Sequence, residues 1–179
     1  MTRTIICTAA ALALGTAALA QDPLSNEARQ GWNRTINNVI GAAEKMPDDA
    51  YNFKPTPESM SFRDLVAHTA DSAMGSCSAY NGERRMAGAR DMMSKGDLVG
   101  ALKAAQGECE KAYGSLTDAK ATEMVESPRG SRSRLGLLYG NTIHIEHEYA
   151  QMAVHLRLKG VVPPSSEGRG MGGRKGGKK

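Results

Sequence analysis

The stretch from Asn141 to Ser166, NTIHIEHEYAQMAVHLRLKGVVPPSS, predicts a long helix with a well-defined end. Apolar residues recur through it at three- and four-residue steps, as on the buried face of a helix. Gly160 follows, and glycine accepts the left-handed conformation in which many helices end. Pro163 and Pro164 come next, and proline cannot continue the helical hydrogen-bond ladder. We therefore expect this helix to end near Lys159.

The same helix carries candidate metal ligands. His144 lies three residues before His147 and four before Glu148, so either pair shares one helix face. Two such side chains can hold one divalent cation from a single helix. A complete site needs a third ligand from elsewhere, and His68 is the leading candidate. The spacing alone does not decide whether His68 is a ligand, because a single histidine beside an apolar stripe is more often a structural residue.

Three further helices precede this one, and all four show apolar residues at helical spacing. The expected spans are 25–46, 61 to about 80, 97–116 and 133–159. We expect Ser25 to cap the first helix, Ser61 with Asp64 the second, and Asp97 the third. The sequence has no alternating strand pattern of useful length and no internal repeat. Four helices joined by polar links predict an all-α fold, a four-helix bundle.

The first twenty residues predict a cleaved signal peptide. Arg3 supplies a positive start, residues 5–19 are apolar, and Ala18-Leu19-Ala20 is a small-residue cleavage site before Gln21. The apolar run is short for a bilayer core of about 30 Å, so we expect no stable membrane insertion of the mature chain. The mature protein is then periplasmic or secreted.

The basic charge of the chain is concentrated at its C-terminus. Residues 163–179 contain five basic residues and one acidic residue, whereas residues 21–162 contain 17 basic and 18 acidic residues. A nucleic-acid-binding domain would carry its positive charge on a folded face, so no specific nucleic-acid binding is expected. The Gly-rich segment 167–179 has almost no apolar side chains and is expected to be a disordered basic tail.

Two cysteines follow the signal peptide, Cys77 and Cys109. In an oxidising compartment, an even number of cysteines favours a disulfide over free thiols. The alternative is a pair of small buried thiols. Their spacing does not decide between the two.

Three segments of the chain resemble the DinB-like superfamily of metal-binding four-helix bundles, particularly its small exported members. They are AEKMPDDAYNFKPTPESMSF at 43–62, FRDLVAHTADSAMGSCSAYNG at 62–82, and EYAQMAVHLRLKGVVPPSS at 148–166. The resemblance extends over about residues 25–166, and the LRLKGVVPPSS segment is its most specific part. It implies a single DinB-like bundle over 21–166, with long connections between the helices.

The resemblance also implies a divalent metal, usually nickel or zinc, held by three histidines. One comes from the second helix and two come from the fourth at H-x-x-x-H spacing. His68 and His144 match the first two positions, but the register places Glu148 at the third and His147 where the family has glutamate. The resemblance therefore implies His68, His144 and Glu148 as ligands, with His147 as the alternative third ligand. Two histidines and a carboxylate also suit iron.

Other consequences of the resemblance are a Cys77–Cys109 disulfide, a homodimer and a small-molecule substrate. Known activities in the superfamily include thiol-dependent transferases and isomerases, and a metal-dependent hydrolase or thiol transferase is the expected activity here. Beyond the metal ligands the sequence shows no nucleophile-base-acid arrangement, and Glu146 or His147 is only a candidate general base. The alternative is a non-catalytic helical bundle whose metal site is degenerate. Such a bundle would serve in stress response, metal sequestration or partner binding. We expect His155 to be a structural residue.

Overall fold

Four long helices dominate the computed structural model, which describes residues 22–127 and 130–168. They are α1 (Pro23–Lys45), α2 (Phe62–Tyr80), α3 (Lys95–Ser115) and α5 (Arg134–Leu158), with the short α4 (Asp118–Ala121) between the last two. Single 3₁₀ turns lie at Asp48–Ala50, Ala89–Asp91 and Pro164–Ser166. A two-stranded antiparallel ladder pairs β1 (Met124–Val125) with β2 (Arg132–Ser133). The expected all-α bundle is confirmed, and the ladder is a minor addition.

The helices begin at serine caps where the sequence supplies them. Ser61 and Ser133 accept hydrogen bonds from the backbone three residues on, at the starts of α2 and α5. The expected cap of the third helix is wrong by three residues. Ser94 is the cap, and Asp97 lies in the first turn, where its backbone N–H donates to Ser94 Oγ over 3.0 Å. The pair is a capping box displaced from the position that we expected.

The start of α1 also differs from the prediction. Ser25 lies inside the helix, which begins two residues earlier at Pro23. The backbone N–H groups of Leu24 and Ser25 instead donate to the Asp118 carboxylate, at 3.1 and 2.8 Å. In return, Asp22 accepts a hydrogen bond from the backbone N–H of Asp118. A long-range partner caps this helix, and local sequence patterns do not reveal such a partner.

The bundle is arranged so that each long helix has two long neighbours. α5 packs between α1 and α2, and α3 packs between the same two helices on the other side. Consecutive helices α1 and α2 are therefore diagonal to each other, which explains the long connection from residue 46 to residue 61. This arrangement makes α2 and α5 neighbours, although 53 residues separate the end of one from the start of the other.

The core is apolar and continuous across all four long helices. Trp32 of α1 stacks on Tyr113 of α3 with ring centroids 5.2 Å apart, and both side chains are fully buried. Cys77 of α2 and Cys109 of α3 form a disulfide in this core, as the resemblance implied. A covalent link therefore joins two adjacent helices of the bundle.

The end of α5 follows the prediction. The helix stops at Leu158, and Gly160 adopts a left-handed φ of 72°. The chain then turns back, where the Tyr149 hydroxyl donates to Ser165 Oγ over 2.8 Å and accepts from the Ser165 backbone N–H. Glu167, at the start of the expected basic tail, forms an ion pair with Lys45 of α1. Contacts with the bundle therefore continue as far as Glu167.

Two predictions fall beyond the described residues. The signal peptide, 1–20, lies outside them, and so does the tail from residue 169 onwards. None of the helices within 22–127 and 130–168 is both long enough and apolar enough to cross a membrane.

Candidate metal centre

Three side chains from α2 and α5 converge where the two helices pack. His68 of α2, His144 and Glu148 each offer one ligand atom, and these atoms all lie within 4.8 Å of one another. Glu148 Oε1 is 3.8 Å from His68 Nε2 and 3.7 Å from His144 Nδ1. The two imidazole rings meet edge to face, with centroids 5.3 Å apart. In the described part of the chain, no other group of three histidine, cysteine or acidic side chains has this geometry.

The local structure explains why these three residues meet. His144 and Glu148 are one turn apart on α5, so both project toward α2. His68 lies on the second turn of α2, next to the buried positions Ala67 and Thr69. The packing of α2 against α5 brings it close to His144 and Glu148. The sequence periodicity fixes the face of each helix, and the packing order of the bundle brings the faces together.

The three side chains differ in exposure. The Glu148 side chain is 6% exposed, whereas those of His68 and His144 are 30% and 42% exposed. The carboxylate therefore lies at the bottom of the site and the imidazoles form its rim. One side of the site is open to solvent, and a buried carboxylate faces that opening.

Polar neighbours contact the three side chains, among them Gln151 and Ser72. Gln151, one turn after Glu148, donates from Nε2 to Glu148 Oε2 over 3.0 Å. This bond leaves the other oxygen, Oε1, directed at the histidines and fixes the orientation of the carboxylate. Ser72 Oγ lies 3.5 Å from His68 Nε2.

The donor set fits a divalent ion of the first transition series. Zinc binds imidazole nitrogen and carboxylate oxygen at about 2.0–2.2 Å, so two ligand atoms of a tetrahedral site lie about 3.4 Å apart. The separations of 3.7 and 3.8 Å at Glu148 Oε1 are within a few tenths of an ångström of that value. Two neutral nitrogens and one anionic oxygen also suit nickel and iron. Three protein ligands leave coordination positions for water or a small molecule.

His147 and Glu146 do not join this group. His147, the alternative third ligand, is exposed on the outer face of α5. It is one residue before Glu148, so its side chain points about 100° away from the direction in which Glu148 faces α2. Glu146 is also exposed and accepts a hydrogen bond from Thr35 Oγ1 of α1 over 2.7 Å. Neither of the two residues considered as general bases faces the three converging side chains.

His155 lies in the core and away from these residues. It is 3% exposed, and its two ring nitrogens lie 2.9 Å from the Gln151 carbonyl oxygen and 3.2 Å from the Met60 carbonyl oxygen. Its ring also contacts Phe53 and Phe62. These contacts connect α5 to the loop before α2, in agreement with the structural role expected for this histidine.

A cleft of about 450 Å³ adjoins the site, and His68 is part of its wall. The remaining wall comes from the start of α2 and from the loops on either side of that helix. Its charged members are Lys54, Glu58, Asp64 and Arg90. Sequence reasoning missed this cleft, because it is formed by loop residues that follow no periodic pattern.

Comparisons with known proteins agree with this architecture. A family model described as the DinB superfamily matches residues 32–152. No curated protein matches the chain.

Solved structures share the fold at low sequence identity. A DinB-like protein from Bacillus subtilis is 20% identical with a TM-score of 0.62, and the match covers 75% of this chain and 92% of that one. A DinB-like protein from Bacillus cereus is 15% identical with a TM-score of 0.65, with coverages of 78% and 95%. A conserved protein from Enterococcus faecalis is 14% identical with a TM-score of 0.62, with coverages of 75% and 95%.

Proposed function

This chain belongs to the DinB superfamily, and from that premise we propose that it binds one divalent metal ion through His68, His144 and Glu148. The observation that supports the proposal is the convergence of the three ligand atoms to within 4.8 Å of one another. A buried carboxylate with two half-exposed imidazoles is a donor set of the kind that holds zinc, nickel or iron. Nickel and zinc are the ions that the family resemblance favours.

The site has the features of a reaction centre. A bound divalent ion supplies Lewis acidity and lowers the pKa of a coordinated water or thiol. The chain supplies the remaining parts. Glu148 contributes one negative charge, Gln151 fixes its orientation, and the two histidines leave the solvent side open. On this basis we propose a metal-dependent hydrolase or thiol transferase that acts on a small molecule.

A non-catalytic role is the alternative, and one observation favours it. The two general-base candidates, Glu146 and His147, are exposed on other faces of α5. A bundle that sequesters metal, binds a partner or serves in stress response would need no such base. Product formation by the metal-loaded protein, tested against panels of esters, amides and thiol acceptors, would favour the enzyme over this alternative.

Metal content tests the proposal directly. Mature protein purified without a His tag is analysed by plasma mass spectrometry, before and after loading with nickel, zinc or iron. We expect close to one ion per chain in the parent, and loss of that ion in His68→Ala and Glu148→Ala. The matched control is His147→Ala, which lies on the same helix and should keep the metal. No metal in the parent after loading would overturn the proposal, and loss with His147→Ala alone would transfer the third ligand to that residue.

We also propose that the protein is exported after cleavage behind Ala20. The disulfide is consistent with an oxidising compartment. Cell fractionation with intact-mass measurement should find a protein that begins at Gln21 in the periplasm or medium. A cytoplasmic protein that retains Met1 would contradict this.

A homodimer is the third proposal. Four apolar side chains on the outer face of α5 are about half exposed: Tyr139, Ile143, Val154 and Leu158. The intervals between them are 4, 11 and 4 residues, the same from either end of the helix. An antiparallel copy of α5 would therefore place each of these side chains opposite another. Light scattering at increasing concentration measures the state, and Ile143→Glu should convert a dimer into a monomer. A monomer at all concentrations would exclude it.

A further inference from the structure

The cleft beside His68 contains two basic side chains that form no ion pair or hydrogen bond through their charged groups within the described part of the chain. Lys54 lies in the loop before α2, and Arg90 lies in the 3₁₀ turn after α2. Among the described residues, no hydrogen bond or ion pair holds the ammonium of Lys54 or the guanidinium of Arg90. Both are exposed, and both line the same cleft as His68. Two cations that no described ion pair or hydrogen bond engages, beside a ligand-sized cavity, are suited to an anion.

The backbone that carries Arg90 is anchored on both sides. The buried Asp71 carboxylate accepts a hydrogen bond from the backbone N–H of Ala89 over 3.1 Å. Arg63 of α2 donates to the carbonyl oxygens of Arg90 and Met92, at 2.7 and 2.9 Å. The turn is thus bound to α2 by side chains of that helix. The backbone of Arg90 is therefore held at the edge of the cleft before any ligand arrives.

The loop that carries Lys54 is held in a similar way. The neighbouring Phe53 packs edge to face against His155, and the ammonium of Lys159 lies 3.9 Å from the centroid of its ring. The Phe53 carbonyl oxygen accepts from the backbone N–H of Phe62 at the start of α2. Both cations therefore extend from supported backbone on two sides of one cavity.

The acidic residues of the cleft do not cancel this charge. Asp64 is engaged by Ser61 and by Arg63, which lies 2.6 Å from its carboxylate. Hydrogen bonding to Ser61, assisted by Arg63 and nearby Lys54, holds the pKa of Asp64 below its usual value. Glu58 is exposed and has no described ion partner. The charges of Lys54, Arg90, Glu58 and Asp64 sum to zero, and adding Arg63, the ion partner of Asp64, leaves one net positive charge.

We propose that the cleft and the metal centre form one site for a small carboxylate-bearing substrate. One end of the molecule binds the open coordination position beside His68, and its carboxylate binds between Lys54 and Arg90. Glu58 opposes a second negative charge and so selects for a single carboxylate. The inference rests on the proposed metal function, because the metal supplies the first of the two attachment points.

The test uses two hydroxamates of equal length on zinc-loaded protein. Succinic monohydroxamate carries a metal-binding group at one end and a carboxylate at the other, whereas butanohydroxamic acid carries a methyl group in place of the carboxylate. Isothermal titration calorimetry measures both dissociation constants. We expect the carboxylate compound to bind roughly tenfold more tightly, a ratio typical of charge-assisted contacts that are partly exposed.

Variants of the cleft sharpen the result. Lys54→Ala and Arg90→Ala should each weaken succinic monohydroxamate about threefold and leave butanohydroxamic acid unchanged. Glu58→Gln should strengthen the carboxylate compound by a similar factor. The control is Lys120→Ala, an exposed lysine of α4 outside the cleft, which should change neither constant.

Zinc content, measured in the same samples, separates two kinds of failure. If the protein holds zinc but binds both compounds equally and ignores the cleft variants, the inference is overturned and the metal proposal stands. If the protein takes up no zinc, the metal proposal fails and the two-point site fails with it. If Lys120→Ala weakens binding as much as Lys54→Ala, the effect belongs to net charge and the cleft is not the site.

Discussion

The disulfide region joins α2 to α3 and the metal-ligand region lies between α2 and α5, and the two regions are built in opposite ways. On α2, Cys77 follows His68 by nine residues, about two and a half turns. On α5, Asn141 is one turn before His144, and its amide nitrogen lies 3.6 Å from Cys77 Sγ and 3.2 Å from the Tyr113 hydroxyl. The disulfide region is fully buried, whereas two of the three metal-ligand candidates are at least 30% exposed.

The contrast separates a buried, covalently linked part of the bundle from a partly exposed part. The disulfide fixes α2 against α3, and Asn141 brings α5 into the same contact. About two turns along α2, no covalent bond joins α2 to α5 among the described residues. Packing alone brings His68 Nε2 to 3.8 Å from Glu148 Oε1 there. The disulfide region can therefore hold the helices in place while the two histidines of the metal-ligand region remain partly exposed to solvent. If the two regions act independently, removing the disulfide should leave metal binding by the folded protein unchanged.

Removal of the disulfide should have the largest effect on stability. The bond closes a loop across a separation of 32 residues, and on the loop-entropy account such a bond stabilises the folded state by about 3–4 kcal/mol. Cys77→Ala with Cys109→Ala should lower the free energy of unfolding in urea by that amount. At low urea the folded variant should still bind one metal ion, because neither cysteine is a ligand. Loss of metal from folded variant protein would show that the regions are coupled.

Metal binding should stabilise the protein by a smaller increment that depends on Glu148. Zinc at a hundred times its dissociation constant adds about 2.7 kcal/mol to the free energy of unfolding, because it binds only the folded chain. Glu148→Ala should abolish this increment. In EDTA, where neither protein holds zinc, the variant and the parent should have nearly the same free energy of unfolding. Urea unfolding with zinc and with EDTA measures it. In the disulfide-free variant the increment should be the same, because distant sites contribute additively; a reduced increment would contradict independence.

Gln151 should affect metal affinity more than stability. Its amide holds Glu148 Oε2, so Gln151→Ala leaves the carboxylate without the contact that orients it. We expect the dissociation constant for zinc to rise about tenfold, as is typical when a residue that supports a ligand is lost. Competition with a chromogenic chelator measures the constant. The control is Gln106→Ala on α3, and Gln151→Glu should not restore affinity, because it replaces a donor with a negative charge.

Sequence reasoning succeeded where a single helix carries the information. The faces of α2 and α5 follow from periodicity, and serine caps and Gly160 mark several of the boundaries. It failed where contacts are distant in sequence. Asp118 caps α1 from more than ninety residues away, and Arg90 reaches the cleft through a turn held by Asp71. Periodicity cannot encode such contacts, because they depend on how the helices are arranged in the bundle.

The family register identified the same three ligand candidates that the structure brings together, and the residues alone could not have done so. His147 and Glu148 are adjacent, and spacing from His144 permits either one. The structure places them on different faces of α5, with only Glu148 directed at His68. One residue of helical register, about 100°, is the difference between the two assignments.

The smallest expected effect is the acid sensitivity of Glu108, which lies beside the disulfide at Cys109. Its carboxylate accepts hydrogen bonds from Asn81 over 2.6 Å and from Arg85 over 2.8 Å. The Asn81 hydrogen bond is the main cause that lowers the pKa of Glu108 below its ordinary value. A carboxyl whose pKa is lower in the folded state stabilises that state above its unfolded pKa, and this contribution is lost as the pH falls through the folded pKa.

Glu108→Gln should therefore lower the free energy of unfolding at neutral pH. The difference between the variant and the parent should shrink as the pH falls below the pKa range of an ordinary glutamate. Urea unfolding of both proteins between pH 7 and pH 3 measures the difference. Glu110→Gln is the matched control, because Glu110 is exposed on the same helix and should give a difference that changes little with pH. EDTA is present throughout, so that protonation of the metal-ligand candidates contributes no metal-dependent change. A Glu108→Gln difference that stays constant with pH would show that the Asn81 and Arg85 contacts do not favour the charged carboxylate.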